Sequence, residues 1–182
     1  GVVDNMYYPR QSVYDNNSKH LKKYGRLYDM AAIHDPRGLA PEGWHVPNAE
    51  EWQELVDYLG GQDSAAFKLS ADIEYLPNIT PCGFNAFPGG QAFDSNDEYQ
   101  GMGIITVFGV RLEKSIMNEY WYWKKLMDRG LSYVWWDIER MKVFFHTDTR
   151  FGEYQMINVR LVKNDDNKAS WQYDRNDTIE TE

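Results

Sequence analysis

Asn48 and Glu51 stand three residues apart at the head of an apolar stripe, and no other feature constrains this chain as tightly. The spacing is that of a capping box. The Asn48 side chain accepts from the Glu51 N–H, and the Glu51 carboxylate reaches back to the Asn48 N–H. Glu50 and Glu51 also place negative charge at the positive end of the helix dipole. Trp52, Leu55, Val56 and Leu59 recur at i, i+3, i+4 and i+7, so one face of the helix is apolar. Gly60-Gly61 can turn left-handed and stop the helix, while Pro47 keeps Val46 extended ahead of the cap. The pattern predicts a helix over residues 48–59, introduced by Gly43-Trp44-His45-Val46-Pro47.

Outward from that helix the chain reads as helix, helix, then strands. Leu27, Tyr28, Ala31 and Ala32 suggest a first helix over residues 24–33, ended by His34-Asp35-Pro36-Arg37-Gly38. Residues 65–69 suit a short helical turn, and Pro77 and Pro81 argue for loop. Residues 82–90 read as a short strand and a turn, and residues 93–103 as loop. Strands are expected at residues 1–3, 104–112, 118–124, 131–138, 141–146 and 154–162. This order is that of an α+β fold with antiparallel sheets and long irregular loops. The folded domain is expected over residues 1–163, with a polar, acidic tail at 164–182 that is either disordered or an added edge segment.

Composition narrows the partners. A net charge of -9 repels a phosphate backbone, which argues against nucleic acid. No apolar run is long enough to cross a bilayer, and the chain as given shows no signal segment. The lone Cys82 excludes an internal disulfide and is expected to be a small buried residue. Aromatic residues make up 15% of the chain, enough to fill a core and leave rings at the surface.

An ordered set of motifs resembles a known family. Tyr24-Gly25-Arg26-Leu27-Tyr28, Pro41-Glu42-Gly43-Trp44-His45-Val46-Pro47, Glu51-Trp52-Gln53-Glu54-Leu55 and Tyr58-Leu59-Gly60-Gly61 look like the Fibrobacter succinogenes major paralogous domain. Lys68-Leu69, Gly83-Phe84-Asn85-Ala86-Phe87-Pro88-Gly89-Gly90, Tyr120-Trp121 and Val159-Arg160-Leu161-Val162-Lys163 match its later blocks, and Val3-Asp4-Asn5-Met6-Tyr7 its early one. The resemblance implies a C-type lectin-like fold, with two helices packed on antiparallel sheets and the N- and C-terminal strands side by side. It implies secreted or cell-surface proteins of Bacteroidetes-type bacteria, often lipoproteins, with any lipid anchor on a segment outside this chain. It brings no established activity. Members commonly carry cysteines at the positions of Ala40 and Leu161; their joint absence here implies that these two positions touch. The stretch 120–150 is longer and more aromatic than the family's and is not carried over.

The candidate sites are each open to a structural reading. His45 is either an acid–base or ligating group, or a side chain locked beside Trp44; the latter is expected. His20, His34, His45 and His146 show no zinc spacing. Calcium is a minor candidate: Leu76-Pro77-Asn78 and Trp136-Asp137-Ile138 do not match the tripeptides of calcium-binding lectins, and Asp94-Ser95-Asn96-Asp97-Glu98 serves equally as a solvated loop. No nucleophile elbow is present, an oxidase needing paired cysteines is unsupported, and among 28 acidic residues nothing selects a catalytic pair. In the aromatic block, Tyr120, Tyr122 and Tyr133 and Trp121, Trp123, Trp135 and Trp136 cannot all face one core if they alternate along strands. Either both faces are covered or some rings are exposed for sugar stacking or protein contact. The expected ligand face is therefore Tyr120, Trp121, Trp123, Trp135, Trp136 and His146. The expected function is a non-enzymatic, cofactor-free surface domain recognising a glycan or a protein. An assembly subunit of a bacterial surface structure, oligomeric through the aromatic block, comes second and a glycan-active enzyme third.

Overall fold

A computed structural model describes residues 9–35, 37–70, 82–93, 98–111, 131–137, 142–148 and 155–165; in the two strands from 131 and 142, side chains are described at 134, 136, 137, 142 and 143. The expected strands at 1–3 and 118–124, the loop at 71–81 and the tail beyond 165 lie outside these residues.

The capped helix forms as its sequence demands. It spans Ala49–Tyr58 (α3), with both arms of the capping box made: Glu51 N–H to Asn48 Oδ1 at 2.9 Å and Asn48 N–H to Glu51 Oε2 at 2.9 Å. Its end is a Schellman motif. The Gly61 N–H reaches the Val56 carbonyl at 2.9 Å, the Gly60 N–H reaches Asp57, and Gly60 takes φ +93°. Trp52, Val56 and Leu59 are buried, each side chain stabilising the fold by roughly 1.5–3 kcal/mol. A second helix, Gln62–Leu69 (α4), follows at once and is longer than the turn expected there. Its Ala65 and Ala66 have no side chain beyond Cβ, so the helix lies close against the sheet.

The first expected helix is not one element. Leu21–Tyr24 (α1) is a single turn ended by Gly25, Leu27–Asp29 (β2) is a strand, and Met30–Ile33 (α2) is another single turn. Long-range pairing decides this. Leu27, Tyr28 and Asp29 face Asn158, Ile157 and Met156 of Gln155–Asn158 (β9), while Gln11–Ser12 (β1) pairs on the other edge. Asp29 is fully buried; it caps α2 through the Ala32 N–H at 2.8 Å and takes the Arg10 Nε–H at 3.1 Å.

The remaining strands are Gly89–Phe93 (β4), Glu98–Met102 (β5), Ile105–Gly109 (β6), Leu131–Asp137 (β7) and Lys142–Asp148 (β8). They join β1, β2 and β9 in one eight-stranded sheet, in the order β1-β2-β9-β4-β6-β7-β8 with β5 on β4. The expected strands at 104–112, 131–138 and 141–146 are present, and that at 154–162 begins as β9. The expected strand at 82–90 starts only at Gly89, and the expected loop at 93–103 contains β5. Pairing is antiparallel except for two single-residue parallel contacts, Gly90 with Thr106 and Phe108 with Asn158, where β6 wedges between β4 and β9. Thr106 and Asn158 bond at that wedge, Oγ1 to Oδ1 at 2.8 Å.

β6 is buried throughout, and its alternation serves two layers. Phe108, with Val134, Trp136 and Val143, packs under α3 and α4; Ile105 and Val107 pack with Met30, Ile33, Val46 and Ile157. The fold is thus mixed α and β, with few helices on a sheet of several strands. Cys82 is exposed, contrary to expectation, with its backbone N–H bonded to the Lys68 carbonyl.

Trp44–His45 (β3) and Val162–Lys163 (β10) form a separate ribbon, antiparallel, with Asn164 N–H to Gly43 O at 2.8 Å. Leu39 and Leu161 pack on the same apolar cluster beside it. With Cys82 replaced by serine, the pair Ala40→Cys and Leu161→Cys is therefore expected to close a disulfide on oxidation, read as loss of two titratable thiols. Thiols that persist place the two Cβ atoms outside the roughly 3.5–4.5 Å that a disulfide spans.

His34 generates a pH prediction. Burial pushes its imidazole down to about 4; donation from Nδ1 to the Met30 carbonyl at 3.0 Å opposes this, and the Arg111 guanidinium adds to it. The unfolded chain takes up this proton near pH 6.5 and the folded one near 4, so stability is complete above about pH 6.5 and falls between the two. Denaturant titrations should show His34→Gln losing less stability than the native chain from pH 7 to 4, by about 3 kcal/mol at most.

Candidate functional site

A cleft of about 650 Å³ opens where the β3–β10 ribbon meets α3. One wall is α3, through Glu51, Trp52, Glu54, Leu55 and Tyr58. The other is the segment from Arg160 to Asp165, with His45, Pro47 and Phe84 completing the lining. The capping box sets the depth and direction of this wall, because Glu51 belongs to both.

His45 ties the walls together. Its Nε2 lies 2.7 Å from Glu51 Oε1, and its Nδ1 lies 2.7 Å from Asn164 Oδ1. The histidine is thus locked, as its structural reading requires, but by two side chains rather than by Trp44 or the backbone. Glu51 is committed through both oxygens, one to His45 and one to the Asn48 N–H. Asn164, assigned by sequence to the tail, belongs to this contact and to the domain.

Aromatic groups line the same space. Phe84, Trp52 and Phe108 pack with ring centroids 5.2–5.8 Å apart. The Arg160 guanidinium stacks 4.5 Å above the Phe84 ring and donates to the Phe84 carbonyl. Burial lowers its pKa, with Cys82 opposing, yet a guanidinium keeps its proton at neutral pH. Tyr58 stands at the rim, 85% exposed. Trp52 is only 2% exposed and its buried indole N–H has no acceptor among the described residues.

Of the residues expected to form the ligand face, Trp136 is placed away from this cleft. Tyr120, Trp121 and Trp123 are outside the described residues. Trp135 pairs in register with Phe144, and His146 with Tyr133, on β7 and β8. Trp136 is 1% exposed and donates its indole N–H to the Ala66 carbonyl at 3.0 Å. It is a core residue beneath α4 rather than a platform for a ligand. The cleft was missed because its walls come from residues distant in the sequence; the one local signal was the dense run of polar and aromatic residues on α3. Among the described residues, no three His, Cys, Asp or Glu side chains are grouped to hold a metal ion, and positions 94–97 of the calcium candidate lie outside them.

Removing the Asn48 side chain leaves the Glu51 N–H without its acceptor, while the Glu51 carboxylate keeps both the Asn48 backbone N–H and His45. Asn48→Ala should cost about 1 kcal/mol in chemical denaturation. An unchanged midpoint would show that the box contributes nothing to stability.

No curated protein and no solved structure matches the chain. Its residues 3–163 match the profile of the Fibrobacter succinogenes major domain, covering the capped helix, the central sheet and the cleft walls as far as Lys163. The chain therefore belongs to the Fibrobacter succinogenes major domain family.

Proposed function

We propose that this chain is a non-enzymatic, secreted or cell-surface binding domain of C-type lectin-like architecture, whose ligand, a glycan or a protein, occupies the cleft beside α3. The observation that carries the proposal is the cleft itself. At about 650 Å³ it has the size of a ligand site, and it combines apolar rings with a few convergent polar groups. An exposed tyrosine at the rim suits the C–H face of a sugar ring, which favours the glycan. The architecture draws support from α3 and α4 packed on one sheet, and from β2 lying beside β9 near the far end of the domain.

The assembly reading draws on Trp44, 45% exposed on the β3–β10 ribbon, and on Val162 beside it. A glycan-active enzyme ranks third. Glu51, Glu54 and Asp165 do line the cleft, but Glu51 is spent on His45 and Asn48, and the other two have interactions of their own.

A glycan array run with and without chelator tests the proposal. Binding to at least one saccharide class is expected, unchanged by chelator, with Tyr58→Ala losing about three- to tenfold in affinity. A blank array with a dimer in solution transfers the reading to an assembly subunit, and turnover of a bound saccharide transfers it to an enzyme.

A further inference from the structure

The cleft is unusual in which charges it leaves uncommitted. Acidic residues outnumber basic ones 28 to 19 in the chain, and three carboxylates line this cleft. Yet Glu51 is engaged through both oxygens, and Glu54 and Asp165 each have interactions already. The cations are the free partners. Lys163 has no ion pair among the described residues, and Arg160, held by the ring and carbonyl of Phe84 and near Cys82, has no carboxylate partner among them. A guanidinium on a ring face keeps its outward edge for a planar anion.

The second observation is Trp52. A buried N–H without an acceptor costs about 1–3 kcal/mol, and native structures seldom keep one without a use. Trp52 lines the cleft with its indole N–H buried beneath that lining, so an oxygen of a bound molecule supplies the missing acceptor only where binding parts the rings around it. Donors and cations unmet, carboxylates occupied and an exposed ring at the rim describe a ligand rich in acceptors, anionic and flat on one side.

Resting on the glycan reading above, we propose that the cleft takes an acidic saccharide, a uronic acid residue. Its carboxylate meets Arg160 and Lys163, a ring or hydroxyl oxygen accepts from the Trp52 indole, and its C–H face lies on Tyr58. The overall charge of -9 repels polyanions at long range, so the affinity resides in these short contacts.

Calorimetric titration of the whole chain tests this with a galacturonic acid tetramer, the same tetramer reduced at its carboxyl groups, and a tetraglutamate peptide. The acidic saccharide should bind at least about tenfold more tightly than either control. The double variant Arg160→Gln/Lys163→Gln should bring it down to the level of the reduced tetramer. Trp52→Phe keeps the ring and removes the unmet donor. It should leave the melting temperature equal or higher while weakening the acidic saccharide several-fold, whereas a purely structural tryptophan would change stability without changing affinity. Equal binding of both tetramers overturns the acidic class and leaves the glycan reading standing. Equal binding of the peptide overturns the saccharide. Binding of none overturns this proposal, and the glycan array then decides whether the broader reading falls with it.

Discussion

The architecture turns on one amide. Asn158 sits where β9 parts from β4 and β6 enters between them, a place where strand hydrogen bonding is necessarily incomplete. Its side chain fills the gap: Oδ1 takes the Thr106 hydroxyl at 2.8 Å, and Nδ2 donates to the carbonyls of Tyr24 and Arg26 at 3.2 and 3.4 Å. Gly89 makes room for it, since a Cβ there would come within 2.9 Å of Oδ1. The same junction sends the chain out of the sheet toward Arg160 and β10, so the second wall of the cleft is aimed from here. A neighbouring buried pair, Gln155 Nε2 to Gln91 Oε1 at 2.6 Å, supports the parting strands. Satisfied polar groups inside a sheet fix register in a way that apolar packing alone does not.

What was legible in the residues was local. The α3 helix could be read to its last hydrogen bond because cap, stripe and stop all lie within fourteen residues of one another, from Asn48 to Gly61. The β-branched and aromatic strands β6, β7 and β8 were legible for the same reason. Leu27–Asp29 was misread as helix because Leu27, Tyr28, Ala31 and Ala32 imitate a helical face, while what decides the matter is pairing with residues some 130 positions later. Gly89-Gly90 looked like a break and is the start of a strand. At Gly90, φ is +69° and any Cβ would meet Gln100 O at 2.5 Å and the Tyr14 ring at 2.6 Å, so glycine here serves close approach rather than a turn.

The candidate site was less legible than the fold. Aromatic density drew attention to residues 120–136, yet Trp136, the member whose side chain is described, belongs to the core. Conversely Tyr58 looked like one more helical residue and Arg160 like part of a closing strand, although both face the cleft. Residue type says what a side chain can do, and only the fold says whether a ligand can reach it. The motifs shared across the family accordingly speak for the scaffold, while the cleft draws on positions whose meaning is spatial.

The contact between His45 and Asn164 spans 119 positions of the chain. The helical wall of the cleft can form from a short stretch, but the opposite wall is the last described segment before residue 165. On a ribosome the helix would be in place well before its counterpart emerged, and the cleft would close only once residues 160–165 had followed. A molecule bound there would bridge early and late parts of the chain, and so slow the detachment of the final ribbon as much as it fills a space.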